Sequence, residues 1–97
     1  MTTGRLCTDD EVLTFLAGHL QWERDGESLV RTGRAGSFPA AIAWVRAVAD
    51  VAELMDHHPD MDIRWCTVTF RLCSHDLGGI TPRDLELALH IDSIIAA

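Results

Sequence analysis

The chain of 97 residues contains no Lys, no Tyr and no Asn. The absence of Lys excludes a Schiff-base nucleophile, a pyridoxal anchor and a phosphate-loop lysine. The absence of Tyr removes the phenol as acid or base. All eight basic residues are Arg, set against 15 acidic ones, and the resulting net charge of −7 disfavours direct binding of nucleic acid or an anionic membrane. No segment approaches the ~20 apolar residues of a membrane-spanning helix. Cys7, Cys66 and Cys73 are odd in number, and Met1-Thr2-Thr3-Gly4-Arg5 leads into a polar Asp-Asp-Glu run instead of an apolar stretch. We therefore expect no signal peptide, and a soluble, cytoplasmic protein with reduced thiols. Proton-transfer chemistry is left to five His, fifteen carboxylates and three Cys.

A chain this short is expected to form one domain over residues 1–97. Small domains bury only about 60–65% of the surface their unfolded chains expose, so self-association is a natural way to bury more. Thr8-Asp9-Asp10-Glu11 has the form of a capping box and predicts a helix over about Asp9 to Ala17, with Gly18 as its stop. A hairpin follows, Leu20–Glu23 with Ser28–Arg31, turning at Asp25-Gly26. Thr32 to Gly36 reads as a loop. Ser37-Phe38-Pro39 opens a second helix that runs to about Met55 or Asp56, ahead of Pro59. Apolar residues cover all of it except a stripe of Arg46, Asp50 and Glu53, as expected for a helix buried on two sides.

Met61, Ile63 and Trp65 alternate with polar residues, as do Val68, Phe70 and Leu72, which predicts two more strands with Cys66-Thr67 between them. His75 to Gly79 reads as a flexible loop. Thr81-Pro82-Arg83-Asp84 caps a last helix, with Thr as N-cap and a carboxylate at the third helical position. The order α-β-β-α-β-β-α with short links predicts an α+β fold: a four-stranded antiparallel sheet with three helices packed on one face.

Three of the five His, His57, His58 and His75, lie within nineteen residues. Were the second helix to reach His57, Glu53 would share its face, since residues four apart stack on a helix. A hairpin of the following strands would return His75 toward the pair. Imidazole, with an unperturbed pKa of about 6.5, both donates and accepts protons near neutrality. Two or three imidazoles with a carboxylate suit a dehydration, in which one group protonates a departing hydroxyl and another takes a proton from the adjacent atom. The plainer readings are a solvated helix end at His57-His58, where cationic His suits the helix dipole, a surface loop at His75, and Asp84 as a capping carboxylate. His19 and His90 read as structural or exposed. A zinc site of the three His and Glu53 ranks below proton transfer, because chelating spacings are missing.

Glu53-x-x-x-His57-His58-Pro59, five residues, Trp65, nine residues, His75 and then Asp84 form a specific arrangement. It resembles the signature of the pterin-4a-carbinolamine dehydratase family, also known as the dimerization cofactor of a homeodomain transcription factor. Asp56 before the His pair, Cys73-Ser74 before His75, and Thr81-Pro82-Arg83-Asp84-Leu85 belong to the same resemblance. It implies dehydration of 4a-hydroxytetrahydropterin to quinonoid dihydropterin, which recycles the cofactor of aromatic amino-acid hydroxylases. His57, His58 and His75 would be catalytic, with Glu53 and Asp84 supporting them. Asp56-His57-His58, Trp65 and Cys73-Ser74-His75 would frame the pterin. The resemblance implies no metal or organic cofactor, a homodimer or homotetramer, and no direct nucleic-acid contact. The alternative is a non-catalytic dimerization or regulatory module on the same fold. Ser28 to Gly36 lacks the aromatic residues that the family usually carries there.

Overall fold

A computed structural model describes residues 4–97; Met1 to Thr3, the first part of the N-terminal stretch discussed above, lie outside it. The elements are α1 (Asp9–Gly18), β1 (Trp22–Asp25), β2 (Ser28–Arg34), α2 (Phe38–Met55), β3 (Asp60–Arg64), β4 (Thr67–Leu72) and α3 (Pro82–Ala96). The strands form one antiparallel sheet in the order β1-β2-β4-β3. This is the expected α+β architecture. Among the described residues no helix is long and apolar enough to cross a membrane, and all three cysteines are free.

Strand alternation sorts the sheet into two faces. Val68, Phe70 and Leu72 of β4 and Leu29 of β2 point to the helical side and are buried with Val12 of α1, Val48 of α2, and Leu87 and Ile91 of α3. Each such side chain contributes roughly 1.5–3 kcal/mol of transfer free energy. The opposite face is uncovered and polar: the Thr32 and Thr69 hydroxyls meet at 3.1 Å, and Arg71 pairs with Asp25 at 2.9 Å. Asp60, Asp62, Arg64, Thr67, Thr69 and Arg71 line a shallow hollow of about 580 Å³ on that face.

The structure corrects the expected boundaries at four places. The first turn is Gly26-Glu27, with Asp25 paired to Ser28 in the ladder, so that Gly26 takes the positive φ of 60°. The expected loop from Thr32 is strand as far as Arg34. Gly33 is there for close packing: a Cβ on it would lie 3.2 Å from Trp44 and 3.4 Å from Ile95. The second hairpin turns at Trp65-Cys66, one residue earlier than expected, and gives Trp65 a φ of 52°. The stretch expected as a flexible loop is a closed turn. Ser74 N–H donates to Gly79 O at 2.9 Å, Gly78 N–H donates back to Ser74 O at 2.9 Å, and Cys7 N–H holds Ile80 O at 2.8 Å.

Candidate active site

The site begins where α2 stops. Asp56 adopts left-handed φ 52°, ψ 45°. Its N–H donates to Glu53 O at 3.2 Å, while His57 N–H reaches back to Ala52 O at 3.0 Å. These are the two bonds of a Schellman closure, here built on Asp instead of the usual Gly. The helix ends at Met55, within its expected bounds, and the reversal places His57 and His58 beyond it, so the condition for Glu53–His57 stacking is not met. The two rings part company instead. The His57 side chain is 10% exposed and the His58 side chain 59%.

His57 turns inward to the first turn of α3, where its Nε2 lies 2.6 Å from Asp84 Oδ1. Asp84 is fully buried. Its second oxygen accepts from Ser74 Oγ at 2.9 Å and from the Thr81 backbone N–H at 2.9 Å. Since the single Ser74 hydroxyl proton goes to Asp84, the 2.7 Å contact between the Ser74 and Thr81 hydroxyls is donated by Thr81. Asp84 thus closes the capping box of α3 and orients His57 with the same carboxylate. A carboxylate only accepts, so in this pairing His57 donates from Nε2. His58 repeats the pairing in solvent, with Nε2 at 2.9 Å from Glu53 Oε1.

The β3–β4 hairpin returns Ser74 to this cluster, and His75 follows it as an exposed residue on the closed turn. Among the described residues His75 has no side-chain hydrogen bond to the other two imidazoles. Cys73 lies against Gly79 O at 3.9 Å, and burial pushes its thiol pKa up, with Asp84 adding to the effect. Trp65 is not brought to the cluster within one chain. It sits at the far end of β3, five strand residues or roughly 17 Å from the His58 end, 68% exposed, with the Arg34 guanidinium 5.0 Å from its ring. No group of three His, Cys, Asp or Glu side chains suited to hold a metal ion forms among the described residues. Sequence reasoning passed over Arg83, whose guanidinium donates to Met55 O and, at 2.8 Å, to Asp56 O. In the sequence it stands only within the motif that opens the last helix, and nothing in its spacing pointed to α2.

The family model described as pterin 4 alpha carbinolamine dehydratase matches residues 5–94. The chain belongs to this family. A protein of Nocardia farcinica, provisionally named a pterin-4-alpha-carbinolamine dehydratase, is 51% identical over 94 residues, covering 97% of this chain and 98% of its own. A relative from Roseiflexus castenholzii with the same provisional name is 47% identical over 90 residues, covering 93% and 97%. The crystal structure of a Brucella melitensis protein named transcriptional coactivator/pterin dehydratase superposes with a TM-score of 0.90 at 25% identity, covering 94% of this chain and 99% of that one. A pterin dehydratase-like protein identified as a RuBisCO assembly factor in the alpha-carboxysome shares the fold, with a TM-score of 0.64 at 19% identity over 78% and 88%.

Proposed function

We propose that the protein dehydrates 4a-hydroxytetrahydropterin to quinonoid dihydropterin by histidine general acid–base catalysis, as a step in tetrahydropterin recycling. The observation that carries this reading is the pair of adjacent imidazoles held by two carboxylates, His57 on Asp84 and His58 on Glu53. Membership of the dehydratase family supports it. One imidazole protonates the 4a-hydroxyl, the C4a–O bond breaks and water leaves. Another takes the N5 proton, and the freed electron pair forms the C4a=N5 bond. His75 completes the trio from the facing turn. Asp56-His57-His58 and Cys73-Ser74-His75 frame the pterin, in part through backbone groups, and no metal or organic cofactor takes part. A pterin-dependent aromatic amino-acid hydroxylase would supply the substrate.

Stopped-flow dehydration of chemically prepared 4a-carbinolamine tests the proposal. The wild-type protein is expected to exceed the uncatalysed rate, and His57→Ala and His75→Ala to lose on the order of 10²-fold or more of it. No rate above background would overturn the enzyme reading. It would favour the second one, a non-catalytic regulatory module, which the Brucella protein's name as a transcriptional coactivator supports. We also propose a homodimer or homotetramer using helical surface, since Ile42 and Leu54 of α2 and Leu89 of α3 are exposed. A monomer in light scattering would exclude it.

A further inference from the structure

The last turn of α2 contains no basic residue, although the carbonyls at a helix C-terminus attract a cation. The Schellman closure satisfies Ala52 O and Glu53 O and leaves Met55 O and Asp56 O to find other donors. Arg83 supplies both bonds from a different helix. It occupies the first turn of α3, where a positive charge opposes that helix's own dipole. Its position therefore works against α3 and in favour of α2. Both bonds leave one terminal nitrogen, Nη2, whose two N–H bonds diverge at a fixed angle in the guanidinium plane, a geometry that a freely rotating ammonium on a shorter stem does not hold.

The next residue of each segment carries the catalytic pairing. Arg83 holds residues 55 and 56, and Asp84 holds residue 57. The two contacts are successive rungs between the same pair of helix ends. We propose that Arg83 is a positioning residue for the dehydration: it clamps the left-handed end of α2 so that the His57 ring meets Asp84. This rests on the dehydratase reading above, because it assigns His57 a role in that reaction. Misplacing a catalytic group by about 1 Å can cost as much as ~10²-fold in rate.

The test uses Arg83→Met and Arg83→Lys in the full chain, with three readouts: kcat and KM, thermal unfolding, and ¹H–¹⁵N spectra of the His57 ring. Arg83→Met is expected to lower kcat about tenfold with KM within about twofold, and to lose exchange protection of the His57 Nε2 proton while the protein stays folded. Arg83→Lys, which keeps the charge but not the planar donor group or its reach, is expected to recover only part of either loss and covers the case in which Arg83→Met does not fold. An unchanged His57 signal in a folded variant, unchanged kcat, or full recovery by Lys would overturn the proposal. If the wild-type protein does not dehydrate the carbinolamine, the function reading fails, and the spectra still decide whether Arg83 sets the His57–Asp84 contact.

Discussion

Two helices of this protein begin with the same device in very different surroundings. At α1, Thr8 accepts from Glu11 N–H at 3.1 Å, and Glu11 accepts from Thr8 N–H at 2.8 Å. Around it are solvent and Arg5, which grips the Glu11 carboxylate at 2.8 and 2.9 Å. At α3, Thr81 and Asp84 form the equivalent pair, but both are buried, and the remaining capacity of Asp84 is taken by Ser74 and His57. A carboxylate in the first turn of a helix is already held by backbone N–H groups and by the helix dipole. It is therefore a ready anchor for an imidazole brought in from elsewhere in the chain. Only at α3 does the fold bring one.

Removing the two carboxylates should separate the boxes most. Asp84→Ala strands the donors of His57, Ser74 and Thr81 in a buried setting and is expected to cost about 3–5 kcal/mol. Dehydratase activity should fall by ~10² or more with it. Glu11→Gln, whose amide oxygen still accepts from Thr8, should leave activity unchanged. Urea denaturation and the stopped-flow assay measure both. An Asp84→Ala protein as stable and active as the wild type would reduce Asp84 to a cap.

The adjacent histidines sharpen the contrast on the imidazole side. His57→Ala leaves the buried Asp84 Oδ1 without its partner, an expected loss of about 1–3 kcal/mol. His58→Ala removes only a solvated contact to Glu53 and should stay within about 0.5 kcal/mol. Both should lose activity. Denaturation midpoints that move equally would show that the difference in burial carries no energetic weight.

Much of this was available before the structure, and what was missed has physical causes. Both capping boxes stand in the sequence because Thr-x-x-Glu and Thr-x-x-Asp are local motifs. Burial is not local, so the spacing alone allowed Asp84 no more than a capping role. The family resemblance added only that Asp84 supports the three His as a group, without pairing it to His57. The pairing of Glu53 with His57 depended on the helix running past its expected end at Met55 or Asp56, and a left-handed Asp56 stops α2 at that end, two residues before His57. Gly33 did mislead, since a glycine needed for packing against Trp44 looks in sequence like a loop glycine. The reach of Arg83 across to α2 depends on how two helix ends are placed, which no periodicity records.

The capping threonines give a smaller, more direct comparison. Thr8→Ala should cost about 1 kcal/mol, the ordinary value of an N-cap. Thr81→Ala removes the cap and also the hydroxyl that donates to Ser74, which raises the expected loss to about 2 kcal/mol. Equal losses would mean that the Ser74–Thr81 bond adds nothing to the cap.

The smallest effect is the pH response of the exposed box. The hydrogen bond from Arg5, and next that from the Thr8 backbone, hold the Glu11 carboxyl pKa at about 2, below its ordinary 4.5. A carboxyl whose pKa is lower in the folded state than in the unfolded chain binds protons more weakly there. Its contribution is complete above the unfolded value and disappears as pH falls from about 4.5 through about 2. Because the pair is in solvent, salt screens it and the effect on global stability is slight. A site-resolved NMR titration shows it better than a melt. Arg5→Gln is expected to move the Glu11 midpoint back toward 4.5, with the Thr8 bond preventing a full return. A midpoint that ignored Arg5 would mean that the capping N–H alone sets the charge of this box.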